Sequence, residues 1–319
     1  MMEVVSDNRV KVSVCCITYN HREYIEECLN GILMQQTSFE FELIVHDDLS
    51  TDGTDEILKR YHQKYSEKMR IIRPQANRYS SCTRAIVTTY LLPIAKGEYI
   101  ALCEGDDYWT DPFKLQKQVD ILDNYRSCSV SIHASKVIEY GKRFKIYRAH
   151  RSGTIIPFEE VVRWRHNLSQ TATVVYRKEC MAGYPQFCLD CHVGDYPLML
   201  WLALHGKIYY LSDVMSVYRR GSSSSWTTKD RNIDIENRLA LLQTEFDMLD
   251  GFNEITKGVY EDSINRKKRM LLIYILWRYR DIEQLKNIGA STLLKILPIY
   301  KSLPIYFRVH IFRSFFKTS

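Results

Sequence analysis

Apolar residues in the first hundred positions fall in short continuous runs separated by amphipathic stretches. The runs are KVSVCCI (11–17), FELIVH (41–46), MRIIR (69–73) and GEYIALC (97–103), with amphipathic stretches at 22–35, 54–65 and 84–95. Strands alternating with helices in this order predict a β-α-β-α layout around a mainly parallel sheet. Runs that are apolar throughout fit strands with helices on both faces. After Trp109 the pattern changes: Asp111 stands as an N-cap with Pro112 at the first helical position, which predicts a helix. Between 128 and 176 the segments SVSIHASKVIEY, GTIIPF and QTATVVYR read as strands that extend the sheet. GDYPLMLWLALHG (194–206) predicts a buried helix closed by Gly206, KIYYLSDVMSVYRR two further strands, and 229–285 a long helical stretch free of proline.

In sheets of this kind ligands bind outside the carboxyl ends of the strands, so the residues after each run carry the most information. They are Thr18-Tyr19-Asn20, Asp47-Asp48-Leu49-Ser50 and Glu104-Gly105-Asp106-Asp107. In CEGDDYW (103–109), Glu104, Asp106 and Asp107 would repel one another without a partner. A hard divalent cation, Mn²⁺ or Mg²⁺, resolves that cost, since it takes carboxylate oxygens and leaves positions for substrate phosphates. Gly105 lets the backbone approach such a ligand. The plainer reading is a solvated turn with Asp107 capping the next helix. VHDDLSTDGTDEIL (45–58) offers a carboxylate to the N3 proton of a uracil, or a helix cap from Asp52 and Thr54. Tyr19 could stack on a base or simply pack a loop.

Three segments in this order, VSVCCITYNHREYIEECLNGILMQQ, FELIVHDDLSTDGT and GEYIALCEGDDYWTDPFKLQKQVDIL, resemble the nucleotide-sugar-binding half of glycosyltransferase family 2. The likeness covers 11–123 and continues more weakly, through QTATVVYR, GDYPLMLWLALHGKIYYL and VYRR, to about 220. It implies an α/β fold of the GT-A, Rossmann-like type with an α-helical C-terminal region. It also implies inverting transfer of a sugar from a nucleotide-sugar donor, most often a UDP-sugar, to an acceptor hydroxyl. More narrowly, the chain resembles bacterial enzymes of capsule, O-antigen and other surface polysaccharides, which implies a glycan or polyprenyl-diphosphate-linked acceptor. By the same resemblance Thr18, Tyr19 and Asn20 line the base pocket and Asp48 reads the uracil. Asp106 ligates the metal, and Glu104 reaches metal or ribose through water. Asp195, at the mouth of the 194–206 helix, falls where the family carries its general base; apolar walls there would raise its pKa. Asp190 and Asp213 are the substitutes for that role. Two departures from the family pattern concern the phosphates. VTTYLLPIAKG lacks the usual basic-asparagine pair, leaving Arg78 or Arg84 for a phosphate contact, and YRRGSSSSW lacks a histidine, leaving Arg219 and Arg220 to neutralise the diphosphate beside a serine-rich segment that reads as a lid or as a plain connector.

Composition narrows the class. With 45% hydrophobic and 26% charged residues among 319, the chain is neither disordered nor collagenous. No signal peptide or long uncharged apolar run stands in it, and nine irregularly spaced cysteines suggest reduced thiols, so a cytoplasmic protein is expected. After Gln284 come six bases and no acid, so the formal charge of +6 sits wholly in the tail and the body is neutral. A neutral body excludes a nucleic-acid footprint. The tail, LLKILPIYKSLPIYFRVHIFRSFFKTS (293–319), interleaves bases with aromatic and aliphatic residues and suits an anionic membrane surface, placing the protein at the inner face of the plasma membrane. Packing on protein is the other use of such a tail. Cys188-Leu189-Asp190-Cys191-His192 matches a c-type haem attachment pattern, and Asn167 a glycosylation sequon; neither is expected to act in a protein without export. The expected organisation is a catalytic domain over 1–225 and a helical region over 226–319. A sugar nucleotidyltransferase would need a glycine- and arginine-rich loop after the first strand, which ITYNHREY lacks. A degenerate scaffold could dispense with the carboxylates, and a hydrolase with the base pocket.

Overall fold

The computed structural model of the protein describes residues 10–77, 85–139, 143–163, 169–221 and 233–278. One sheet organises them, with strands in the order β3-β2-β1-β4-β9-β6-β10-β5. Its first half is β1 (Val12–Thr18), β2 (Phe41–Asp47), β3 (Met69–Ile72) and β4 (Tyr99–Glu104), all parallel. β5 is Tyr108–Trp109, β6 Cys128–Glu139, β7 Arg143–Tyr147, β8 Thr154–Ile156, β9 Val175–Arg177 and β10 Lys207–Arg220. β9 runs antiparallel to both β4 and β6, and β6 is parallel to β10, so six strands share one direction. The mainly parallel sheet expected from the alternating runs is therefore present. β7 pairs with the end of β6, and β8 with β10.

Strand alternation builds two cores. Val12, Val14, Cys16, Leu43, Val45, Ala101 and Cys103 face helices α1 (Ile25–Leu33), α2 (Thr54–Lys64) and α3 (Lys114–Asn124). Their neighbours Cys15, Ile44, Ile100 and Leu102 face the opposite core, shared with α4 (Phe158–Arg163), α5 (Gln186–Leu189) and α6 (Asp195–His205). Each central strand is thus apolar on both sides, as its continuous run requires. The last two helices, α7 (Ile235–Ile255) and α8 (Glu261–Arg278), join that second core through Met248, Leu249, Phe252 and Ile264. Among the described residues no helix is long and apolar enough to cross a membrane.

Three local expectations are corrected. α3 begins at Lys114, because the Asp111 carboxylate accepts from the Phe113 N–H at 2.8 Å and shapes the turn before the helix. The segment 207–220 is one strand, irregular at Leu211–Ser216 where its register against β6 shifts; the sequence break at Ser212-Asp213 marks a bulge, not a turn. The 229–285 helical pattern divides at Lys257-Gly258, both at positive φ, where Lys257 N–H donates to Glu254 O at 3.0 Å and Gly258 N–H to Asn253 O at 2.9 Å. That paired bonding is a Schellman cap, and its lysine in the left-handed position hid the stop from the sequence pattern.

Candidate active site

The parallel order β2-β1-β4 sets the carboxyl ends of three strands side by side, with Thr18 level with Asp47 and Ile17 with Glu104. The loops that follow are tied together. Asn20, at φ 55°, takes the left-handed conformation that asparagine tolerates; its N–H donates to Ser50 Oγ at 2.9 Å and its Oδ1 accepts from Thr51 N–H at 2.8 Å. The Asp48 N–H donates to Thr18 O at 3.0 Å, and its carboxylate is wholly buried with Oδ1 3.4 Å from His46 Nε2. Asp47 takes the structural share, accepting from Ser50 N–H and pairing with Arg73 at 3.2 Å. Asp52 accepts from the N–H groups of Arg22 and of Thr54, the first residue of α2, from the position before the Gly53 N-cap. Burial opposes ionisation of Asp52, but these bonds and the Thr54 hydroxyl hold its carboxyl below the usual range.

Beyond β4, Glu104, Asp106 and Asp107 bring carboxylate oxygens within 4.8 Å of one another. Asp106 and Asp107 are buried and Glu104 half-buried. Burial, and then the charges of Asp106 and Asp195, push the Glu104 carboxyl up to about 8, against a hydrogen bond from Thr171 Oγ1 at 3.3 Å. Burial followed by the same kind of repulsion raises Asp107 well above the carboxylate range, opposed by the Arg219 N–H, which donates to its Oδ1 at 2.8 Å. Its other oxygen, Oδ2, is buried and has no hydrogen-bond partner among the described residues. Three crowded hard oxygen donors, one with a lone-pair face that no described residue uses, fit Mn²⁺ or Mg²⁺.

The loop bearing these acids is clamped from two sides. On one, Thr18 Oγ1 lies 3.2 Å from His21 Nδ1, and His21 Nε2 lies 4.0 Å from Asp106 Oδ2. On the other, Arg219 donates to Asp106 O at 2.6 Å, pairs with Glu27, and lies over the rings of Tyr24 and Tyr108 at 5.1 and 4.4 Å. The structure therefore brings together Thr18, Asn20, Asp48, Glu104, Asp106 and Arg219, with half-buried Tyr19 on the same loop as Asn20. Arg219 spends its guanidinium on the acid loop, and Arg220 pairs with Glu139 at 3.2 Å. Asp195 is the first residue of α6, close enough to Glu104 for its charge to act there. It is exposed, so the apolar walls expected around it are absent: the apolar residues of α6 start at Pro197 and turn toward the core. Asp190 accepts from Gln186 at the end of α5, and Asp213 pairs with Lys117, so both are engaged elsewhere. Arg78, Arg84, Asn167, the serine-rich segment after Gly221 and the basic tail lie outside the described residues. Cys188, Cys191 and His192 are buried, with His192 Nδ1 3.1 Å from Thr244 Oγ1 and Nε2 3.4 Å from Glu245.

The sequence motifs did not single out His21 or Thr171, and Asp107 stood in them as part of the acidic cluster or as a helix cap, not among the ligands that the family resemblance implies. His21 was accessible to residue reading, standing three residues past a strand end; Thr171 was not, because it arrives from a distant turn before β9.

Comparison with known proteins agrees with this geometry. The model of the family described as Glycosyl transferase family 2 matches residues 13–186. The uncharacterized protein Rv1520 of Mycobacterium tuberculosis is 35% identical over 259 residues, 76% of this chain and 70% of that protein. TuaG of Bacillus subtilis, named for teichuronic acid biosynthesis, is 36% identical over 120 residues, 38% of this chain and 44% of its own. Among solved structures, S. aureus TarS in complex with UDP superposes with a TM-score of 0.66 at 17% identity, over 96% of this chain and 87% of that one. The mannosyltransferase PcManGT of Pyrobaculum calidifontis, in complex with GDP-Man and Mn²⁺, gives 0.55 at 15% identity, over 99% and 91%. A GT-A sheet with an acidic loop at its carboxyl edge, matched over more than half its length by one family model, makes this chain a glycosyltransferase belonging to glycosyl transferase family 2.

Proposed function

We propose that the protein moves a sugar from a UDP-sugar to a hydroxyl of a glycan or polyprenyl-diphosphate-linked acceptor, with inversion, in the synthesis of a bacterial surface polysaccharide. The observation that carries this reading is the cluster of Glu104, Asp106 and Asp107, beside the Asp48 loop, with an Asp107 oxygen that no described residue bonds. The names of TuaG and of the UDP complex of TarS support the polymer class and the nucleotide. The base would lie between Tyr19 and the Asp48 carboxylate, with Asn20 holding the two loops in register. Asp106, Asp107 and Glu104 would hold a divalent ion, which would supply positive charge toward the donor diphosphate. The acceptor oxygen forms its bond to the anomeric carbon on the face opposite the diphosphate. As that bond forms, the bond from carbon to diphosphate oxygen breaks, its electron pair stays on the diphosphate, and the hydroxyl proton passes to the Asp195 carboxylate. Exposure of Asp195 lets it return that proton to water.

The test is thermal stability with UDP and Mn²⁺, singly and together. A ligand at about a hundred times its Kd stabilises by roughly 2.7 kcal/mol, a readable shift. A rise that needs both and is absent in Asp106→Ala is expected. Asp195→Asn should retain that rise while its turnover falls by about 10²–10⁴. A response to another nucleotide would change the donor, and no response to any nucleotide would overturn the reading in favour of a non-catalytic scaffold.

A further inference from the structure

Between Phe144 and Phe158 the chain carries Lys145, Arg148 and Arg151, together with His150 and no acid. Strand β7 runs into this segment and pairs with β6 only, so among the described residues its outer edge carries no strand. Phe144 is 69% exposed and Ile146 48% exposed. Two residues apart in a strand, they stand on one face, opposite Ile138 and Lys136 of β6. The Lys136 ammonium lies over the Phe144 ring, 4.7 Å from its centroid. Lys136 thus shares the face of this apolar pair, exposed Lys145 stands on the opposite face 5.1 Å from the Tyr147 ring centroid, and exposed Arg148 and Arg151 follow β7 in the chain.

Bases on an edge strand are a common guard against strand pairing. That need does not put a phenylalanine and an isoleucine together on the outermost strand, where they are costly in water. A soluble polyanion would be served by the bases alone. A surface that is anionic outside and apolar within uses both sets at once, with bases at the headgroups and the two side chains at the acyl boundary. From this combination we infer that the β6–β7 ribbon is a docking surface for an anionic lipid bilayer, separate from the C-terminal tail.

Its position gives docking a consequence. β7 pairs with Ser135–Glu139, and Glu139 at the end of β6 pairs with Arg220, next to the Arg219 that clamps the acid loop. The ribbon thus leaves the sheet at the same carboxyl edge as the candidate active site, and a docked ribbon would present that edge to acceptors anchored in lipid. This last clause rests on the proposed transferase reading; the docking itself does not.

The experiment is sedimentation of the full chain with vesicles of phosphatidylcholine, with and without phosphatidylglycerol. Wild type is expected to bind the anionic vesicles, Phe144→Ser with Ile146→Ser to lower the partition about tenfold or more, and Lys145→Glu to lower it about fivefold or more. Each variant's thermal response to UDP and Mn²⁺ is measured in parallel. An unchanged response shows an intact fold, and absence of the response in wild type would count against the transferase reading alone. Three results would overturn the docking surface: wild type that ignores anionic vesicles, ribbon variants that bind them like wild type, or equal capture by soluble polyphosphate with the apolar substitutions silent. Ribbon variants that lose self-association in place of vesicle binding would assign the face to a second copy of the chain.

Discussion

Gly105 shows how one residue without a side chain shapes the acid loop. A Cβ at this position would lie 2.6 Å from Thr18 Oγ1, 2.8 Å from Thr18 Cβ and 2.9 Å from His21 Nδ1. Thr18 is wholly buried and cannot retreat, so the loop would have to move away from β1 and carry Glu104 and Asp106 with it. Gly105→Ala should therefore weaken Mn²⁺ binding in the presence of UDP by at least tenfold, read by titration calorimetry, while the secondary structure seen by circular dichroism is kept. Affinity equal to wild type would show that the loop is not packed as described. Glycine between two acids was legible in the sequence as room for a ligand; the structure assigns the room to the protein's own threonine and histidine.

Elements meet below the site in a buried polar knot. Lys114, wholly buried at the start of α3, donates to Gln118 Oε1 at 2.8 Å and lies 4.0 Å from the Trp109 ring centroid. Gln118 Nε2 in turn donates to Ser131 O on β6 and to Thr173 O, fixing the turn whose Thr171 reaches Glu104. Burial lowers the Lys114 pKa to about 7. The unfolded chain then binds more protons than the native one between about 7 and the ordinary lysine value of about 10.5. Stability from this group is present at high pH, declines as pH falls through that window, and stays low below about 7. Wild type measured against Lys114→Met in urea should thus lose relative stability from pH 9.5 to pH 7, a loss on the order of 1 kcal/mol or more. A difference independent of pH would mean that the lysine stays charged in the fold. Nothing in KLQKQVDIL distinguishes Lys114 from the half-exposed Lys117; α3 happens to turn the former against β5 and β6.

At the scale of the whole molecule, the C-terminal helices are part of the second core. Phe252 of α7 is wholly buried, with ring centroids 6.1 Å from Phe158 and 5.3 Å from Phe187. Phe252→Ala should cost about 3–5 kcal/mol. Because the core is shared, the loss should shift one cooperative unfolding transition followed by both tryptophan fluorescence and far-ultraviolet dichroism. Two separated transitions, with only the helical one moved, would show that 233–278 unfolds independently.

What the sequence determined by itself is the part written in local chemistry. Continuous apolar runs marked four parallel strands, because a strand covered on both faces has no polar side to show. Acids and an asparagine directly after those runs marked the carboxyl edge, because side chains at a strand end lie where the sheet opens. Long-range matters were decided only by tertiary structure. The single irregular β10 and the antiparallel β9 between parallel neighbours depend on partners far along the chain. So do Thr171 beside Glu104, 67 residues away, and Arg219, whose guanidinium meets Glu27 and the acid loop across most of the chain. A side chain's charge and size are local properties, whereas the group that compensates its burial is chosen by whichever element the fold lays beside it.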